Sequence, residues 1–146
     1  MRTQSAIEGQ SSNTGTLTVL SISHLDEDHL SLQAIINHHT KWKLFTASGF
    51  TSALTLLQEN KIAVLLCERD LLPGTYIDVL EHINTLPNAP SLIVASRLAD
   101  DRLWAEALNL GAWDVLAKPF DRTEVIRSVK SGWQHWHNQI HMRCDG

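Results

Sequence analysis

The sequence predicts an α/β fold, a doubly wound three-layer sandwich on a five-stranded parallel sheet, and three observations carry that reading. From Leu17 onward, five short apolar runs alternate strictly with five amphipathic segments, the pattern of repeated βα units. The third run, IAVLLC, is apolar on both parities, as a central strand covered on both faces must be. A chain of 146 residues with 43% hydrophobic content supports one core and is too short for two.

Residues 1–16 are rich in Ser, Thr, Gln and Gly and are expected to form a flexible tail, because they bury too little apolar surface to offset ordering entropy. The domain is expected over 17–138, with 139–146 extending the last helix into a short tail. Strands are predicted at Leu17–Ser23, Trp42–Thr46, Ile62–Cys67, Ser91–Ala95 and Trp113–Ala117. Helices are predicted at Glu27–His38, Phe50–Glu59, Tyr76–Leu86, Asp101–Leu110 and Arg122–Gln139. Phe50, Ala53, Leu54 and Leu57 recur at helical spacing, as do Ile77, Leu80 and Ile83. Gly111 fits the C-terminal cap of the fourth helix, and Asp121 with Glu124 reads as the capping box of the fifth. Right-handed crossovers restrict the winding, and the expected strand order is 2-1-3-4-5. The functional crevice then lies beyond the carboxyl ends of the strands, between the first and third, with Ser23, His24, Glu68, Ala95, Ser96 and Lys118 around it.

Composition removes several function classes. Net charge is -4 and no Lys/Arg block occurs, so nucleic acid is not an expected partner. No apolar stretch approaches the roughly 18 residues of a membrane span, and the N-terminus lacks the apolar core of a signal peptide; a cytoplasmic protein with no membrane partner is expected. Cys67 and Cys144 make no disulfide framework. His137 and His141 share a helical face, but structural zinc needs about four ligands, so they read as surface histidines. A small nucleotide- or flavin-binding protein is an alternative on this architecture, yet no G-x-G-x-x-G follows the first strand and no G-x-x-x-x-G-K occurs.

The segment GAWDVLAKPFDRTEV, Gly111 to Val125, resembles the last strand and final turn of a response-regulator receiver domain, including its Lys-Pro pair at Lys118 and Pro119. The resemblance extends through the polar end of the first strand, the CERDLLPG loop and the small-residue turn after the fourth strand. It implies the flavodoxin-like order, no enzymatic activity of its own, and phosphoryl transfer from a sensor kinase onto an Asp with Mg²⁺ held by acids. Position by position the pattern is altered. The paired acids of the family fall on Ser23 and His24, and the phosphoacceptor falls on Glu68. The hydroxyl residue falls on Ala95, with Ser96 one step later, and the aromatic switch position falls on Val115. Lys118 is intact.

These changes have physical consequences. Mg²⁺ demands near-octahedral oxygen ligation, which a Ser-His pair does not supply, so no cofactor is expected to bind well. Glu68 carries its carboxylate farther out by on the order of 1 Å, and such a displacement costs roughly 10²-fold in a positioned reaction. The same carboxylate near Lys118 suggests an ion pair that fixes one conformation without phosphate. The leading expectation is a stand-alone atypical receiver acting through contacts with a sensor kinase, a downstream effector or a second copy. The alternative is a phosphorylation-competent receiver that builds its metal site from the displaced acids Asp26, Glu27 or Asp28 with Glu68 or Asp70; against it, acids at a helix start are favoured by caps and the helix dipole. His24 is a candidate partner for Glu68 at the crevice.

Ile126, Val129, Trp133, Trp136 and Ile140 form an apolar seam along the last helix. Its second half either presents Trp133 and Trp136 to a partner or folds back as core. Trp104 is a further candidate anchor, with packing against Trp113 as the alternative.

Overall fold

A computed structural model describes residues 16–145. The expected tail lies, but for residue 16, outside the described residues. Five parallel strands, β1 (Leu17–Ile22), β2 (Trp42–Ala47), β3 (Val64–Glu68), β4 (Ser91–Ser96) and β5 (Asp114–Ala117), pair in the order β2-β1-β3-β4-β5. The connecting helices are α1 (Asp26–Ile36), α2 (Phe50–Glu59), α3 (Tyr76–Ile83), α4 (Asp101–Leu110) and α5 (Arg122–Asp145).

Alternation along the strands divides the core in two. Leu20, Ile22, Leu65, Cys67, Leu92 and Val94 point to the face covered by α2, α3 and α4, whereas Val19, Val64, Leu66 and Ile93 point to the face covered by α1 and α5. β3 is buried along its whole length, as its unbroken apolar run requires. Burial in that core pushes the Cys67 thiol well above the ordinary thiol range, so it is an unreactive core group.

Helix ends follow local chemistry. Thr75 caps α3 by accepting from the Ile77 N–H, and Gly111 ends α4 in the left-handed conformation. Asp121 accepts from the Glu124 N–H at 3.0 Å, one half of the expected box at the start of α5. α3 stops at Ile83 rather than Leu86, where the Thr85 hydroxyl donates to the His82 carbonyl and Pro87 follows. α5 runs beyond Gln139 because residues 140–145 include neither proline nor glycine. Within it, Gly132 lets the helix approach β4: a Cβ there would meet Ser91 Cβ and Trp113 Cδ1 at 3.3 Å, and the Ser91 hydroxyl donates to its carbonyl at 2.7 Å.

Candidate functional site

Parallel strands deliver their carboxyl ends to one edge of the sheet. At that edge β1 runs into Ser23, β3 ends at Glu68, β4 ends at Ser96, and Lys118 directly follows β5. Register fixes the neighbours: Glu68 lies beside Ala95, and Ser96 beside Ala117, while the Lys118 N–H donates to the Ser96 carbonyl at 3.0 Å.

Lys118 is the centre of the cluster. Its Nζ donates to Asp28 Oδ2 at 2.8 Å and also contacts Glu68 Oε1, with all three side chains largely buried. Asp28 Oδ2 accepts a second bond, from the Ser23 hydroxyl at 2.7 Å, and Ser23 Oγ in turn accepts from the Leu25 N–H at 3.0 Å. Glu68 Oε2 accepts from the Asp70 N–H at 3.4 Å. One ammonium therefore faces two carboxylates inside the fold. Burial alone would lower the Lys118 pKa, but hydrogen bonds and charge from Asp28 and Glu68 outweigh it and hold the ammonium above its ordinary value. Behind the cluster, the His29 ring accepts from or donates to Ser21 Oγ at 2.9 Å on one side and meets the Ser23 carbonyl at 3.0 Å on the other. That brace fixes the backbone carrying the Ser23 hydroxyl.

The three acids at the start of α1 separate in space. Asp26 and Glu27 are exposed, and Glu27 pairs with Arg97 at 2.6 Å across the mouth of the crevice. An exposed pair of this kind contributes at most about 1 kcal/mol. Asp28 turns inward to Lys118. The capping reading fails for it: Leu25 occupies the N-cap position, and no side chain caps the helix there. The signal was available in the periodicity, since Asp28, Leu32 and Ile35 recur at helical spacing and are all buried.

The expectations for His24 and Asp70 need correction. His24 is exposed and makes no bond to Glu68; the ring that enters the network is His29. The Asp70 residue is exposed and contributes its backbone N–H rather than its carboxylate. Ala95 and Val115 are buried aliphatic groups, and the Ser96 hydroxyl accepts from the Leu98 N–H at 3.1 Å in a local turn. Trp136 is only 8% exposed, packs in the α1/α5 core and points its indole N–H at the Asn88 carbonyl, so it is core rather than contact surface. Trp133 is half-buried and stacks on His137. Trp113 stacks on His135 and donates to Ser131 at 2.7 Å, leaving Trp104 exposed without it.

Mg²⁺ does not fit the residues present. The two carboxylates that reach the crevice are both held by Lys118, whose charge stands where a cation would be attracted. No group of three or more His, Cys, Asp or Glu placed to hold a metal occurs among the described residues.

A five-stranded parallel sheet in this order, with its polar cluster at the β1/β3 switch point, defines a doubly wound α/β domain of flavodoxin-like topology. The family model described as response regulator receiver domain matches residues 25–130, and the chain belongs to that family. A protein-glutamate methylesterase/protein-glutamine glutaminase of Desulfotalea psychrophila (strain LSv54 / DSM 12343) is 41% identical over 49 residues, which are 32% of this chain and only 14% of that protein. The fold is similar to the signal receiver domain of an HD domain-containing protein from Pseudomonas fluorescens Pf-5, with a TM-score of 0.78, 21% identity and coverage of 87% of this chain and 93% of that one. It is also similar to a two-component response regulator from Clostridium difficile (TM-score 0.73, 18% identity, 82% of this chain and 97% of that one). A beryllofluoride-activated NtrC4 receiver domain dimer gives a TM-score of 0.73 at 20% identity, covering 82% and 98% of the two chains. No helix among the described residues is long and apolar enough to cross a membrane.

Proposed function

We propose that this receiver is a fixed protein-contact module of cytoplasmic two-component-type signal transduction, with phosphotransfer lost or much weakened. The observation that supports this most strongly is the closure of Lys118 onto Asp28 and Glu68 together. Lys118 is engaged by the resident carboxylates, and Glu68 uses one oxygen for Lys118 and the other for the Asp70 N–H. A carboxylate so bonded is a poor nucleophile toward a phosphodonor. With Ala95 and Val115 at the switch positions, the crevice has no aromatic switch ring there, and the hydroxyl at the end of β4, that of Ser96, is held in a local turn by the Leu98 N–H. Sensor kinases, downstream effectors and a second copy are the partner classes of this reading, and the domain itself carries no catalysis.

Incubation with acetyl phosphate and Mg²⁺, followed by intact-mass measurement, tests the reading: the mass stays unchanged. A stoichiometric phosphoryl adduct that disappears in Glu68→Gln or Asp70→Asn would contradict it. A second reading, a competent receiver with displaced acids, draws support from Asp28, which does enter the crevice. That reading requires the adduct and its loss in Asp28→Asn.

A further inference from the structure

The crevice around Lys118 is closed, but a cavity of about 940 Å³ opens beside it, between α2 and α3. Phe50 and His82, both in its lining, meet edge to face with centroids 6.1 Å apart and join the two helices. Thr51, Asp78 and Glu81 line the walls, and no Lys or Arg is among the lining residues. Asp78 gives one oxygen to the Thr75 N–H at 2.9 Å, whereas Glu81 is exposed and has no ion pair among the described residues.

The rim carries the second observation. Leu72 is 71% exposed and has φ 40, a left-handed conformation that a leucine rarely adopts. The loop that holds it is anchored, not loose. Leu71 beneath is buried and its N–H donates to the Gly74 carbonyl at 2.9 Å, while Asp70 and Thr75 pair as an isolated bridge. Backbone strain kept in an anchored loop, and used to hold an apolar side chain in water, is characteristic of binding surfaces.

We propose that the α2–α3 groove binds a basic, apolar segment of a partner protein, which sets a hydrophobic side chain against Leu72 and Phe50 and a Lys or Arg against Glu81 and Asp78. The volume suits a short segment. The lining offers carboxylates without compensating cations, so it selects for positive charge and rejects acidic chains. This deepens the contact-module reading by giving the partner a chemistry. The groove and the Lys118 cluster share no residue, so a failure of either is separable from a failure of the other.

The test is a titration of the full chain, followed by amide NMR, with the blocked peptide Ac-Lys-Leu-Arg-Leu-Lys-amide and its acidic counterpart Ac-Glu-Leu-Glu-Leu-Glu-amide. The basic peptide is expected to give saturable shifts at Phe50, Leu72 and Glu81 that weaken between about 0.05 M and about 0.3 M salt. Glu81→Gln should raise the midpoint on the order of threefold, and Leu72→Gly, which suits the positive φ and keeps the fold, about tenfold. Equal shifts with the acidic peptide, or no saturation with either, would overturn the proposal. So would shifts at these residues that follow protein concentration alone, which would assign the groove to a second copy.

Discussion

The Lys118 cluster and the α2–α3 groove sit at the same end of the sheet and use their carboxylates in opposite ways. In the cluster, Asp28 and Glu68 are buried and bonded to Lys118, and the Ser23 hydroxyl completes the set. In the groove, Glu81 remains in solvent with no ion pair among the described residues. The difference follows from burial: a carboxylate withdrawn from water must find a cation and donors inside the fold, whereas one at a rim can wait for a partner. The part of this domain that the family uses for chemistry is thus its most self-satisfied region, and the part beside it is left open.

Removing the ammonium breaks that contrast most severely. Lys118→Met leaves two buried carboxylates uncompensated, and urea unfolding should record a loss of about 3 to 5 kcal/mol. A loss below about 1 kcal/mol would mean that water reaches both acids and that the cluster is not sealed. A similar contrast of nearly the same size runs along α5, where Trp136 is core and Trp133 only partly covered. Trp136→Ala should cost about 3 kcal/mol and Trp133→Ala about 1 kcal/mol. Equal costs would erase the distinction between the two indoles. The smallest effect concerns pH. Because Asp28 and Glu68 raise the Lys118 pKa despite its burial, the folded state favours the ammonium. Its contribution is complete below the unfolded value of about 10.4 and is lost as pH rises through the higher folded value. The stability gap between the wild type and Lys118→Met should therefore be flat from about pH 7 to about pH 10 and narrow above that.

How far the sequence reveals this arrangement depends on the kind of signal each residue leaves. Strand and helix positions follow from apolar periodicity, the strand order from crossover handedness together with the family resemblance, and element ends move by a few residues where a local hydrogen bond decides, as at Thr85. Glu68 and Lys118 are legible because each stands at a strand end that the fold must bring together. Asp28 is not, because three consecutive acids at a helix start all satisfy the same dipole preference, and only the shared face with Leu32 and Ile35 singles out the one that turns inward. His29 leaves still less trace: its role depends on a backbone carbonyl and the Ser21 hydroxyl, neither of which periodicity marks. The groove is a property of two helices and a strained loop, so no single stretch of sequence announces it.

The fixed-module reading requires a Lys118 cluster that is closed to metal and phosphoryl. Amide spectra recorded with millimolar Mg²⁺ and then with beryllofluoride, followed at Glu68, Ser96 and Lys118, test it most directly. Spectra that stay unchanged at all three residues are expected. Saturable shifts there, abolished by Glu68→Gln or Asp28→Asn, would show that the crevice still opens to a phosphoryl group and would contradict it.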